Sequence, residues 1–440
     1  MQFFDTEIAE ALGEDLSPNV PLCLSNPAEL PSCFGTSDLA VASIGAAARE
    51  VGAHLGVSAI ALDQRLASAW FDLTLKPQGW ETPSVWDAIA GVYQAKDGWV
   101  RLHTNAPHHR DAALRVLGCA AEKSAVAEAC ATWAKDVLED AIVAEGGAAA
   151  AMRSLAAWAD HPQGRAVAAE PLIAWQQSGE GAAPLALAET RVLDLTRVLA
   201  GPVATRFLAG FGAQVLRVDP LFWNEPGVEP EVTVGKRRAG LDLTARADRE
   251  TFEQLVSQAD VLVHGYRPGA LAGLGYDTAR LHSLAPQMID ISLCAYGWSG
   301  PWAGRRGFDS LVQMSSGIAQ EGMRRAGGSK PVPLPVQALD HATGYLMAAA
   351  ALRALRRRKA TGQILSAQLS LARTAALLVA RGAHAFRGND LGIGAKDYDP
   401  ALEHTDWGPA KRLTFPVQLD GTGPTWTRPA GRLRADPPAW

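Results

Sequence analysis

The chain predicts an α/β protein: a doubly wound parallel sheet accompanied by a smaller α+β domain. Three observations carry this expectation. Between residues 191 and 293, short runs rich in Val, Leu and Ile alternate with helical stretches, as in parallel βαβ units. The first of those stretches has Pro202 in its first turn and Gly212 just past its end, the usual polarity of helix punctuation. Earlier, Asp97-Gly98 separates two strand-like runs, which marks a hairpin rather than a crossover. With 440 residues, 48% of them hydrophobic and 20% charged, the chain can bury large cores, and global disorder is excluded.

The elements follow in order. Residues 39–55 are alanine-dense with few breakers and predict a helix. Residues 57–62 predict a short buried strand. Residues 91–102 form the expected hairpin, with helices over 109–117 and 123–143, a break at Gly146-Gly147, and a third helix ending at 161–164. Residues 178–190, small and rich in Gly, read as a linker. Strands are expected at 191–195, 214–218, 259–263 and 288–293, with a helix over 202–211. The organisation is therefore 1–78, then a small α+β domain over 79–177, the linker, a Rossmann-like domain over 191–385, and a tail over 386–440 that should lie over the surface. A weak repeat joins the ends: the stretch from Asp38 to Arg49 resembles that from Asp340 to Ala351, and Ser58, Ala59, Arg65 and Ala67 match Ser366, Ala367, Arg373 and Ala375.

Charge and cysteine usage bound the function. Forty-one basic against 46 acidic side chains give −5, which argues against bulk nucleic-acid binding. Cys23, Cys33, Cys119, Cys130 and Cys294 lack CxxC spacing, so neither a disulfide framework nor a zinc site is expected. No apolar run reaches the ~18 residues of a membrane span, and the first dozen residues lack a basic signal-peptide start. The expectation is a protein of the reducing cytoplasm with no membrane partner.

Several motifs could carry chemistry. The loop from Thr196 to Pro202 follows the first strand, where ligands gather in open α/β sheets and where Gly201 permits close approach. Asp219 ends the second strand, the place of a ribose-binding acid, but no GxGxxG accompanies it. Lys236, Arg237 and Arg238 are consecutive cations able to hold phosphate or to form a solvated face. His103, His108 and His109 suit a strand end and a helix start better than a metal. Gly307-Phe308-Asp309 places a carboxylate after a glycine-bearing loop, where it could act as nucleophile or base.

Taken together, the stretches Val192–Pro202, Gly212–Pro220, Gly235–Leu243, Tyr266-Arg267-Pro268-Gly269, Gly307-Phe308-Asp309 and Leu339–Gly344 resemble the family III CoA-transferases, which include the 2-methylacyl-CoA racemases. The order of segments departs from that family, because a small-domain-like segment precedes the Rossmann-like half. The resemblance implies that Asp309 attacks an acyl-CoA thioester, giving an anhydride and then an aspartyl-CoA, with CoA passed to a free carboxylic acid. It implies that Val198, Leu199, Lys236, Arg237, Tyr266 and Arg267 bind CoA, which is a substrate rather than a tightly held cofactor, and that the chain forms a homodimer. Gly322, Gly327 and Gly328 could form a mobile loop of oxyanion donors. Leu199 replaces a glutamine of formyl-CoA transferase, which disfavours formyl-CoA and oxalate as substrates, and Gly265 replaces an asparagine usual before the aromatic, which removes one hydrogen bond. Two alternatives stand beside the transferase: a racemase with His282 as second base, and a non-catalytic CoA-binding subunit.

Overall fold

Seven strands build the main sheet of the computed structural model, which describes residues 1–13, 19–181 and 186–440. Their spatial order is Lys236–Gly240, Gln214–Asp219, Arg191–Leu195, Val261–His264, Ile289–Cys294, Gln363–Ser370 and Ala174–Glu180. All pairs are parallel except the last, which is antiparallel. From Arg191–Leu195 the chain winds outward on one side, then returns to Val261–His264 and winds outward on the other. The predicted Rossmann-like winding is therefore present, and its reversal lies between these two central strands.

Both faces of the sheet are buried, so its strands read as nearly continuous apolar runs. Val192, Val215, Val261, Val263, Ile289 and Ile291 point into one core. Leu193, Leu195, Leu216, Val218 and Leu262 point into the other. Helices Ala200–Gly210 and Ala338–Thr361 lie in the first core, and Arg246–Ser257 and Thr278–Leu284 cover the second. Gly344 allows the long helix to touch the shorter one: a Cβ there would stand 2.3 Å from the Ala200 carbonyl oxygen.

The repeated stretch near the start forms helix Thr36–Leu55, strand Ile60–Asp63 and helix Gln64–Ala69. This mirrors the succession Ala338–Thr361, Gln363–Ser370 and Leu371–Ala380. The two long helices pack on each other in one core. Arg353 reaches across to Glu50 at 2.7 Å, with both side chains almost fully buried.

Four expectations shift in detail. The hairpin pairs Gly91–Ala95 with Gly98–Leu102, but its two loop residues are Lys96 and Asp97, one step earlier than Asp97-Gly98. The single helix expected over 123–143 is two, Lys123–Cys130 and Lys135–Ala144. The cause is tertiary: the Trp133 carbonyl accepts from the Lys96 amide, and the Asp97 carboxylate accepts from the Lys135 amide at 2.8 Å, so the hairpin loop stops one helix and starts the next. The start of the expected linker is recruited as the edge strand Ala174–Glu180, while residues 182–185 lie outside the described residues. The tail is built in rather than laid over the surface. Its strand Val417–Leu419 pairs with Ile60–Asp63, Gly408–Arg412 pairs with Leu75–Pro77, and Trp426 stacks on the buried Trp70. Among the described residues no helix is long and apolar enough to cross a membrane.

Candidate active site

The winding reversal leaves a cleft beyond the carboxyl ends of the two central strands, as the topology requires. The loop after Arg191–Leu195 is shaped by buried Asp194. One of its carboxylate oxygens accepts from the Thr196 amide (2.9 Å) and hydroxyl (2.5 Å). The other accepts from the Thr205 hydroxyl (2.6 Å) and Lys236 Nζ (3.0 Å). The loop then places Val198 at φ +65°, costly for a β-branched residue. Glu225 holds it there by accepting from the Val198 amide at 2.9 Å. Gly201 begins the next helix where a Cβ would lie 2.2 Å from Thr196 Cγ2, so no side chain fits.

The cleft has a volume of about 450 Å³. Arg197, Val198, Tyr266, Arg267, Arg306, Phe308 and Asp340 are on its lining, and the small domain closes it with His108 and His109. Arg197 spans two rings, 5.0 Å from the Tyr266 centroid and 4.9 Å from that of Trp223. Arg197, Arg267 and Arg306 give the mouth a positive field. Burial first, and then His108, Arg306 and Arg267, push His109 down to about 3, so its ring is neutral. A neighbouring cavity of about 190 Å³ adjoins the cleft, sharing Val198 and Phe308 with it.

At the inner wall stand two carboxylates. Asp340 faces the cleft from the first turn of helix Ala338–Thr361. Asp309 lies directly behind, fully buried, at the start of helix Asp309–Ser315. Asp309 Oδ2 accepts from the backbone amides of Leu339 (2.8 Å) and Asp340 (2.9 Å), capping the long helix. Oδ1 accepts from Gln313 Nε2, and Gln313 Oε1 in turn accepts from the Leu334 amide at 2.7 Å. Burial pushes Asp309 up to about 6 against these hydrogen bonds and the Arg101 charge. Burial and the charge of Asp309 hold Asp340 well above the usual carboxylate range.

The structure brings together some expected residues and separates others. Val198, Tyr266 and Arg267 line the cleft. Leu199 does not; it is turned into the core, 7% exposed. Lys236 and Arg237 also do not. Their strand opens at the end of the sheet away from the cleft, and from there the Lys236 side chain reaches Asp194, Thr205 and the Pro202 carbonyl beneath the cleft loop, where it is fully buried and off the lining. Arg237 lies near Arg428 and Trp440, donating to the Ala439 carbonyl at 3.0 Å. Asp219 is buried and held by both arms of Arg217 at 2.9 Å, which removes it as a ribose ligand. Gly322 is helical, and with Gly327 and Gly328 it stays off the cleft lining, as does His282. The chemistry calls for a bare carboxylate, but Asp309 is fully buried, off the cleft lining, and held by the helix start it caps.

Residues 187–403 match the model of CoA-transferase family III. The match spans just under half of the chain, and it is this segment that is similar to the family. The chain is 34% identical over 186 residues to the probable fatty acyl-CoA transferase Rv3272 of Mycobacterium tuberculosis, covering 39% of this chain and 47% of that protein. It is 32% identical over 186 residues to the succinyl-CoA:glutarate CoA-transferase of Mus musculus, covering 39% and 42%. A crystal structure of Rv3272 shares 31% identity and a TM-score of 0.40 over 47% of this chain and 56% of that one. The chain thus spans about half the length of the curated relatives it matches. All the cleft-lining residues of the winding reversal, together with Asp309 and Asp340, fall inside the matched segment, while His108 and His109 come from the segment before it.

Proposed function

We propose that the protein moves CoA from an acyl-CoA thioester to a free carboxylic acid, with Asp309 as the covalent relay. The observation that carries the reading is the carboxylate pair at the inner wall of an arginine-mouthed cleft at the winding reversal. Arg197, Arg267 and Arg306 are disposed to hold the CoA phosphates, and Tyr266 offers a ring to the adenine. These arginines take the role that the sequence expectation gave to Lys236 and Arg237.

In the proposed course, Asp309 attacks the thioester carbonyl, forming a C–O bond and expelling CoA thiolate. The thiolate returns to the aspartyl carbonyl of the anhydride, releasing the first acid and leaving an aspartyl-CoA thioester. The second acid attacks that thioester, and thiolate attack on the new anhydride frees the product acyl-CoA and restores Asp309. Atoms and charge balance at each step, and no other reactant is needed. Because Asp309 is capped and fully buried, attack requires the start of helix Ala338–Thr361 to yield. The five free cysteines suit a reducing cytoplasm, and we place the enzyme there, working as a homodimer.

The test is a mass-spectrometric screen of CoA esters against carboxylic acids, with hydroxylamine present during turnover. New CoA esters and a hydroxamate on Asp309 are expected. A folded protein that makes new CoA esters while no hydroxamate forms at Asp309 refutes the relay.

A further inference from the structure

We propose that the cavity adjoining the cleft is the acyl subsite, and that it selects aromatic or branched acyl groups with no charge at their far end. The inference rests on the transferase reading, and its observations are independent of Asp309. At about 190 Å³ the cavity is smaller than the ~300–1,000 Å³ typical of a whole-ligand site, so it suits one end of a ligand. Val198 and Phe308 belong to both cavities, so a CoA ester whose nucleotide lies among the arginines puts its thioester at this junction, beside the residue preceding Asp309.

The walls are flat rings. His103 is 5% exposed and lies face to face with Phe308, centroids 3.6 Å apart and planes 8° from parallel. Trp86 meets His103 edge-on at 5.8 Å, and Trp223 completes the aromatic lining. His103 Nδ1 has no partner among the described residues, and burial keeps the ring neutral. The lining carries two carboxylates, Asp87 and Glu225, and among the described residues no Lys or Arg. Arg101 sits over the Trp86 ring, 4.8 Å from its centroid, and is not on the lining. Asp87 is paired with Arg110 at 3.5 Å and Glu225 with the buried Arg217, so both nearby cations are taken and a second carboxylate on the acyl group would find, among the described residues of this wall, no free cation to meet it.

The experiment compares kcat/KM for acetyl-, isobutyryl-, benzoyl-, phenylacetyl- and succinyl-CoA with one common acceptor acid, for the wild type and for Trp86→Lys. Trp86 is partly exposed, so the lysine can be accommodated while its ammonium reaches the cavity rim. The wild type should favour the aromatic and branched esters over succinyl-CoA by about tenfold or more. Trp86→Lys should raise kcat/KM for succinyl-CoA and lower it for benzoyl-CoA, an exchange of preference that damage to the fold cannot produce. Preference of the wild type for succinyl-CoA, or an equal effect of the substitution on every ester, overturns the subsite. A wild type inert toward the whole panel defeats the transferase reading as well.

Discussion

Replacing Asp309 by Asn separates chemistry from architecture. Asparagine keeps the size of the side chain but offers one acceptor oxygen. Turned toward the long helix, that oxygen retains the Leu339 and Asp340 amides; its NH2 then opposes Gln313 Nε2, donor against donor. Gln313 cannot rotate freely because its oxygen holds the Leu334 amide. This conflict costs about 1–3 kcal/mol. Against it stands the cost of a buried charge. With the carboxyl pushed from 3.8 up to about 6, ionising it in the folded state costs about 3 kcal/mol more than in the unfolded chain. The folded protein holds its proton more tightly, so the favourable contribution is complete below about pH 4 and is lost as pH rises through about 6. Asn does not titrate. Asp309→Asn should therefore be destabilised at pH 4.5 and equal or exceed the wild type at pH 8, the difference moving by about 2 kcal/mol across that window. Urea unfolding at the two pH values measures this, and hydroxamate trapping measures chemistry, which should be abolished. Retained acyl transfer removes Asp309 from the mechanism; a stability difference that ignores pH shows that its burial does not raise its pKa.

Arg197→Ala and Arg306→Ala should each weaken CoA binding by about tenfold or more, as loss of a charge-assisted phosphate contact would, whereas Arg237→Ala should leave it unchanged; isothermal titration with CoA decides between the cleft and the basic run. Gly344→Ala should destabilise the protein by about 1–3 kcal/mol in urea unfolding, because its Cβ meets the Ala200 carbonyl oxygen at 2.3 Å. His282→Ala should leave acyl transfer intact, since the residue is off the cleft lining; a large fall in kcat would return it to the chemistry.

The parallel sheet was legible because burial on both faces writes itself as Val and Leu runs of strand length, and the cleft because winding order alone fixes where it opens. The basic run misled for a physical reason. Three adjacent cations announce charge, but strand register decides which end of the sheet receives them, and Lys236 pairs with Val215 at the end away from the cleft. Arg197 sits two residues past the first strand, in the loop where ligands gather, and that position is the one signal in the sequence that points to it. Gln313 stands four residues after Asp309, one helical turn on, and that spacing could have exposed the pair. Asp340 stands in the sequence within the repeat and the family-like stretch, with no role attached; its meeting with Asp309 is a contact 31 residues apart that no local pattern encodes. The helix break at residues 131–134 likewise depends on a distant hairpin.

On the proposed relay, the capping of helix Ala338–Thr361 by Asp309 would tie turnover to backbone motion. A carboxylate that becomes an anhydride or thioester surrenders its charge, and with it the anchor of the long pillar running through the largest core. Each cycle would loosen and re-fasten the first turn of that pillar, so deuterium uptake at the Leu339 and Asp340 amides should follow the acylated fraction of the enzyme and serve as a clock for the hidden intermediate.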